Sequence, residues 1–590
     1  MLAVLLCGLL VRVVRLVMNG PLWGDEAMLV RSLLDRSFVE LWQPLDYVQL
    51  APLGFLWAET ASRHVFGTAE WVWRLIPFLG GCFSLLAFAK FAERIVPRHA
   101  AWLATGIFAS SFYLIRHTVE AKPYITDLTF ALALSILGWR IQQQPQRRSR
   151  WLHFGICASV AVWCSFPSVL TAGGVLLSLM PLLFQAEEPD RARNFGDSKI
   201  RRTVLGEAPF NNVEHLLRKW FLHLRRGCRF LGGWVGVLDD PVFRDSGSSQ
   251  SLRPSHPTIK SHPRSKCSTF CNTAVLGWLM CSLCLTLSFV LMYATFGQQQ
   301  AATASAAGYW QMSMWDVASP PWQRPDHFVV WFLREHAGTM MAHPFGGKNY
   351  ASAGTLLLVI LGSITLARRN PRLLGLWLCP AGLGLLAACL QKYPYGGTAR
   401  TMLYLAPAIC LLAGVGGWAA IVRWIPATRR RLAYRLAMSL CLVLIAGKFV
   451  EEIATPYKER GDALVRDTVR QWAAEAKPDE VWIIANAAAT PDRTDRGIYG
   501  GVSVAVFDHY VLTLGPQHVL HPREIIDLPA TSGRVAVLVH ESQLRPLPID
   551  VARQFRERYA VDADLMREDI VDVGRGETLR RMIFVGKEKP

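Results

Sequence analysis

Charge is scarce in this chain of 590 residues: Asp, Glu, Lys and Arg make up 18%, where soluble domains carry about 25%. Acidic residues are the scarcer kind, 45 against 63 basic ones, which leaves a formal net charge of +18. Cysteine is absent beyond Cys441 and from every loop assigned below to the outer side. An oxidising exterior favours disulfides, so no disulfide scaffold is expected there. Cys281 and Cys284 form a C-x2-C inside an apolar run without a second pair, which reads as packing rather than zinc. No internal repeat is evident. These absences exclude a wholly soluble globular chain, a disordered chain and a small disulfide-stapled one.

What is present is apolar. Hydrophobic residues are 52% of the chain, with 21 tryptophans, a residue that favours membrane–water interfaces. Mean hydropathy is +0.23. A membrane span needs about 20 mostly apolar residues. Eleven runs qualify: Met1–Met18, Leu75–Ala92, Ala100–Arg116, Tyr124–Arg140, Trp151–Phe166, Ser168–Phe184, Thr273–Thr295, Ala353–Ala367, Leu373–Gln391, Thr401–Trp424 and Leu436–Val450. The first carries Arg12 and Arg15 at its end rather than before its apolar stretch, so it reads as a retained span and not a signal peptide. The expected fold is mainly α, a polytopic helix bundle over residues 1–450, followed by a small α/β domain over 451–590.

Charge orients the bundle. Arg94 and Arg98, Arg147 to Arg150, Arg368 to Arg372, and Arg423 to Arg435 fall on one side under the eleven-span count. That side should be the cytoplasm of a cell (inner) membrane. The N-terminus is then cytoplasmic and the C-terminal domain extracytoplasmic. Span-flanking arginines account for the basic excess, so nucleic acid is not an expected partner. The net-basic segment 187–271 becomes a cytoplasmic insertion. Its Ser/Pro-rich second half is expected to be disordered, and its stretch Arg218–Arg229 suits anionic lipid. In the C-terminal domain, Glu459–Glu475 and Ile549–Tyr559 read as helices. Val481–Ala485, Val502–Phe507, Val535–His540 and Met582–Val585 read as strands. His509, His518, His521 and His540 are scattered there, and surface histidine is the default over a metal site.

The outer side gathers the chemistry. Trp23-Gly24-Asp25-Glu26-Ala27 follows the first span. Its paired carboxylates suit acid/base work if their surroundings tune them, or else the capping of a helix over Glu26–Arg36. Arg116-His117-Thr118-Val119-Glu120-Ala121-Lys122-Pro123-Tyr124 packs two cations, a carboxylate and a tyrosine between two spans. Asp127 lies one turn into the next span, where an acidic group usually faces a partner or a cavity. His343-Pro344-Phe345-Gly346-Gly347-Lys348 and Lys392-Tyr393-Pro394-Tyr395-Gly396-Gly397-Thr398-Ala399-Arg400 each join an aromatic-flanked proline and paired glycines to a cation. Either is a chain reversal or a phosphate cradle. Asp25, Glu26, Arg74, Arg116, Glu120, Lys122, Lys348, Lys392 and Arg400 all map to one face. Carboxylates with cations at a lipid interface could activate a hydroxyl while neutralising a phosphate leaving group.

In these motifs the chain resembles the GT-C superfamily of multi-pass membrane glycosyltransferases, in particular the bacterial relatives of protein O-mannosyltransferases and lipid A aminoarabinose transferases. Further matching pieces are Gln49-Leu50-Ala51-Pro52-Leu53 with Trp57, and Trp73-Arg74-Leu75-Ile76-Pro77. The likeness covers roughly residues 1–450, not the insertion. It implies a polyprenyl-phosphate-linked sugar as donor, membrane lipids as surroundings, and a lipid, glycan or protein acceptor on the outer face. It also implies that Asp25 acts as general base in an inverting transfer, with Glu26 beside it and Glu120 as the second acidic position. Lys122 and Arg400 would hold the lipid phosphate, backed by Arg74, Lys392 and Arg116. Tyr124, His343, Lys348 and Tyr395 would line the site. Two features depart from the family: lysine at 122 where many relatives have arginine, which removes the bidentate fork, and the uncharged Gln49, Leu50 and Ala51 before Pro52.

The competing class is a transporter or flippase of a polar lipid or lipid-linked sugar. It predicts ionisable groups near the midplane and internal repeats, whereas the apolar spans hold Asp127 and few others. A third reading, an anchor displaying the C-terminal domain, needs far fewer spans. Carboxylates are able to hold a divalent cation through oxygen ligands, but no spacing demands one.

Overall fold

The structure, a computed structural model, describes residues 1–184, 264–306, 320–346, 352–454, 460–478, 480–484, 502–515, 519–520, 534–542, 563–574 and 577–586. One compact unit comprises Met1–Leu183 and Thr273–Pro590, and a second Phe184–Asn272. Residues 187–263, and with them the expected lipid-binding and Ser/Pro-rich stretches, lie outside the described residues, as do His518, His521, Lys348 and the helix expected over Ile549–Tyr559.

The expected spans are largely helical, but Ala100–Arg116 is divided between two helices at Ser111. In chain order the helices are α1 (Leu2–Val17), α2 (Gly24–Asp35), α3 (Leu53–Phe66), α4 (Leu75–Ile95), α5 (Arg98–Ser110), α6 (Phe112–Thr118), α7 (Tyr124–Gln143), α8 (Arg148–Cys164) and α9 (Ser168–Leu179). Then come α10 (Arg264–Met292), continued through a π turn at Tyr293–Gly297 into α11 (Gln298–Ala306), and α12 (Pro325–Ala337). The last membrane-part helices are α13 (Ala353–Arg369), α14 (Pro371–Cys389), α15 (Ala406–Trp424) and α16 (Arg430–Ala454). Among the described residues six stretches, fewer than the eleven expected, are long and apolar enough to cross a membrane: Val72–Ile95, Tyr124–Gln143, Thr273–Thr303, Pro371–Cys389, Arg400–Trp424 and Arg430–Glu451. The chain is a membrane protein on that ground. α8 and α9 separate where Pro167 interrupts the apolar run, as expected.

The helix α15 is the centre of the bundle. Within its apolar window 72% is buried, against 17% for Thr273–Thr303 and 11% for Arg430–Glu451. Small residues explain why. A Cβ on Gly414 would stand 2.4 Å from the backbone nitrogen of Ala104 on α5, and one on Gly416 would stand 1.9 Å from the carbonyl of Leu358 on α13. Backbones approach this closely only through residues without side chains. The peripheral helices instead expose leucine and valine, among them Leu283, Leu287, Leu440 and Val443, as lipid contact requires.

Beyond α16, α17 (Arg460–Glu475) and α18 (Val502–Leu514) pack with a five-stranded sheet of order β2-β1-β3-β5-β4. Its strands are β1 (Glu480–Ile484), β2 (Val519–Leu520), β3 (Arg534–Ser542), β4 (Ala563–Gly574) and β5 (Glu577–Gly586). β1 runs parallel to β2 and β3, while β5 is antiparallel to β3 and β4. The segment Val502–Phe507, expected as a strand, is instead the start of α18. Its apolar run continues to Leu514, and Val506, Phe507, Tyr510 and Val511 are all buried. Those positions repeat at helical spacing, a face that a six-residue window hides. The strand β4 went unread because it is an edge strand whose charged residues, Arg567, Glu568 and Asp569, break the alternation.

Candidate active site

The helix α2 brings two adjacent carboxylates to very different surroundings. Trp23 caps the helix, which places Asp25 and Glu26 in its first turn, where the helix dipole favours negative charge. Glu26 reaches back to the Trp23 amide at 3.2 Å. It also accepts from the Ala121 amide at 2.7 Å and from Arg74 Nε and Nη2 at 3.0 and 2.7 Å. Arg74 in turn donates to the carbonyls of Gly20 and Pro21 at 2.6 and 2.9 Å. Both side chains are buried. Glu26 and Arg74 therefore tie the α1–α2 loop to the α6–α7 loop and to the start of α4.

Asp25 faces a different partner. Its Oδ2 accepts from Arg400 Nη1 at 2.7 Å, with each side chain one quarter exposed. The Arg400 guanidinium carbon also stands 5.8 Å from the centre of the Tyr124 ring. Arg400 arrives there because Gly396 and Gly397 take φ of 83° and 69°, a left-handed turn that favours glycine. Glu335 of α12 anchors this turn by accepting from the Gly397 amide at 2.7 Å.

The α6–α7 loop contributes the rest. Lys122 is buried and donates to Gln49 Oε1 at 2.5 Å. Burial lowers its pKa, and Asp25 is the first of the neighbours that oppose this. Gln49, one of the uncharged residues before Pro52, is thus the direct partner of Lys122. Glu120 is buried against His117 Nδ1, whose ring meets those of Tyr113 and Tyr124. Arg116 lies within electrostatic reach of Glu120 and Arg400.

The structure thus brings Asp25, Glu26, Arg74, Arg116, Glu120, Lys122, Tyr124 and Arg400 into one cluster drawn from four separate stretches of chain. Other expected residues stand differently. His343 is buried and bonds Ser111 Oγ through Nδ1 at 2.7 Å. Burial drives its pKa down to about 4, so it is neutral at pH 7. Tyr395 bonds His336 Nε2 at 3.1 Å. These two residues anchor loops. Lys392 is exposed. Sequence inspection missed Glu335, His336 and Glu59. The last is buried in α3 with neither carboxylate oxygen hydrogen-bonded, and burial followed by the Glu26 charge pushes its pKa well above the usual range. Only its setting among apolar residues could have marked it. Among the described residues no group of three or more His, Cys, Asp or Glu is arranged to hold a metal.

No protein-family model and no curated protein sequence matches the chain. Among solved structures, it is similar to ArnT from Cupriavidus metallidurans in the apo state, at 13% identity over 99% of this chain and 97% of that one, with a TM-score of 0.47. ArnT bound to undecaprenyl phosphate aligns at 12% identity over 99% and 97% of the two chains, with a TM-score of 0.45. The apo oligosaccharyltransferase of Archaeoglobus fulgidus aligns at 11% identity over 90% of this chain and 65% of that one, with a TM-score of 0.42.

Proposed function

We propose that this protein is a GT-C-type glycosyltransferase that moves a sugar from a polyprenyl-phosphate donor to an acceptor hydroxyl on the outer face of the inner membrane. The observation that carries it is the Asp25–Arg400 pair, a quarter-exposed carboxylate and guanidinium 2.7 Å apart beside the buried cation of Lys122. The motif resemblance at the same residues supports it.

The donor phosphate competes with Asp25 for Arg400. Once the phosphate takes the guanidinium, Asp25 is released as a base. It accepts the acceptor's hydroxyl proton while that oxygen bonds the anomeric carbon. The bond from that carbon to the phosphate oxygen breaks, and its electron pair leaves with the lipid phosphate. Lys122 and Arg400 stabilise the charge that develops there. One displacement inverts the anomeric configuration. Glu26 and Arg74 are assigned to positioning, because their hydrogen bonds run to each other and to loop backbone. Glu120 and His117 shape the loop that carries Lys122, and Arg116 adds positive potential.

The test is turnover of purified wild type and Asp25→Asn in lipid with radiolabelled polyprenyl-phosphate sugars. General-base catalysis contributes typically 10²–10⁴-fold, so the variant should fold and insert while losing about that factor. Undiminished turnover in Asp25→Asn would sink the base assignment. Movement of intact lipid-sugar between leaflets without cleavage would favour a flippase instead.

A further inference from the structure

At the end of the bundle where α5 and α16 begin and α15 finishes, aromatic rings and arginines form a panel that the proposed reaction does not use. The first turn of α5 sets the Arg98 guanidinium 4.3 Å from the centre of the Trp102 ring. His99 stacks on Trp418 of α15, ring centres 4.6 Å apart, and meets the Tyr434 ring of α16 edge-on at 4.8 Å. Arg98 also lies within electrostatic reach of Tyr434. Arg430 donates to the carbonyls of Ile425 and Val422 at 3.0 and 2.6 Å, which fastens the turn from α15 to α16. Arg98, Arg429, Arg431 and Arg435 are exposed around this panel.

Such crowding of cations has a cost. Arg431 and Arg435 stand four residues apart on one helix, a spacing at which like charges repel. The carboxylate of Glu93, which reaches the panel, accepts from Trp102 Nε1 at 2.9 Å. An anion seated among the arginines would offset the repulsion. The neighbouring surface decides which anion fits. From the turn that bears Arg431 and Arg435, an apolar stripe runs down α16 through Leu436, Leu440 and Val443, each more than half exposed. It extends about 10 Å at 1.5 Å per residue. A soluble anion makes no use of that stripe. A phospholipid lays its chains along it and brings its phosphate to the arginines. Guanidinium forks match phosphate oxygens bidentately, and the face of Trp102 holds the Arg98 fork in position.

We propose that α5, α15 and α16 form a binding site for an anionic phospholipid, with Arg98, Arg431 and Arg435 on its phosphate and Leu436, Leu440 and Val443 along its chains. The site is independent of the glycosyltransferase reading and requires only that the chain sits in a bilayer.

The experiment is native mass spectrometry of the full chain in detergent, titrated with phosphatidylglycerol or with phosphatidylcholine of the same chains. Wild type should bind phosphatidylglycerol about tenfold more tightly. One basic residue at an anionic lipid surface is worth about fivefold, so Arg98→Gln and Arg435→Gln should each lose about that factor for phosphatidylglycerol. Both should hold phosphatidylcholine within about twofold, which also shows that they fold. Arg98→Lys keeps the charge without the planar fork and should lose most of what Arg98→Gln loses. Arg372→Gln, on α14 beside Gln142 of α7 and outside the panel, should bind both lipids as wild type does. Excess inorganic phosphate should leave the phosphatidylglycerol complex in place. Equal binding of the two lipids by wild type overturns the site. A loss in Arg372→Gln equal to that in Arg98→Gln and Arg435→Gln also overturns it, since the attraction would then be spread over every arginine. Displacement by inorganic phosphate overturns the lipid as the ligand.

Discussion

Asp25 and Glu26 are adjacent, share a helical turn and differ in what surrounds them. Glu26 accepts four hydrogen bonds and is buried; Asp25 holds one quarter-exposed guanidinium. The two arginines that meet them should therefore respond differently to truncation. Arg74→Ala leaves a buried carboxylate uncompensated, and breaking such a pair costs roughly 3–5 kcal/mol. Its thermal midpoint in detergent should fall sharply. Arg400→Ala should keep a near-native midpoint and lose donor binding and turnover, since its partner can reach solvent. Equal midpoints for the two variants would contradict the division of roles. A pH effect follows from His343. Its folded pKa of about 4 lies below the unfolded value of about 6.5, so stability is complete above pH 6.5 and declines as the pH falls toward 4. Buried His509, held near 3 by desolvation, adds a slope of the same sign. Melting curves between pH 7 and 4 should show the decline, and His343→Gln should flatten part of it.

Among the elements, the close approach of α5, α13 and α15 sets the bundle. Gly416→Ala should destabilise it, because the added methyl meets the Leu358 carbonyl at 1.9 Å and overpacking costs typically 1–3 kcal/mol. Gly382→Ala is the control, with nothing within 4 Å of its Cβ. Thermal unfolding of both variants checks this, and similar midpoints would mean that the helices can part at little cost. Apolar runs marked these helices without ambiguity. Their contacts were not legible, since a glycine in an apolar run looks alike whether it faces a backbone, as Gly416 does, or open space, as Gly382 does. The same limit explains α18. Six apolar residues fit a strand or a helix, and burial against α2 and α17 decided between them.

Over the whole molecule, the α/β part that follows α16 reaches the loop between α1 and α2, next to Asp25. The Tyr510 hydroxyl accepts from the Leu22 amide at 2.8 Å. Arg466 donates to the Asn19 carbonyl at 3.1 Å and pairs with Glu70 at 3.5 Å. Asp508 meets Tyr47 at 3.3 Å, two residues before the Gln49 that holds Lys122. Tyr510→Phe removes the acceptor for Leu22 without changing shape. It should lower kcat several-fold, as one neutral hydrogen bond worth about 1 kcal/mol implies, with the donor KM unchanged. A change in KM alone would place the domain's influence on binding instead.

Much of this protein was decided by composition and order alone. Span-length apolar runs need a membrane, because no soluble packing hides that much apolar surface. Arginines flanking those runs set an expected orientation, and the charged loops hold the groups expected to do chemistry. What required the tertiary structure was pairing. Asp25 meets Arg400 from the far end of the membrane part, Glu26 takes Arg74, and Lys122 takes Gln49. Hydrogen bonds form between whatever the packed helices bring within about 3 Å, and chain order carries no record of that distance. The polar cluster around Asp127 shows the same division. Sequence placed one carboxylate, Asp127, at a depth where it needs a partner, and only the packing of α7 against the α8–α9 junction and the turn Arg400–Leu405 brought Ser165 and Tyr404 to it.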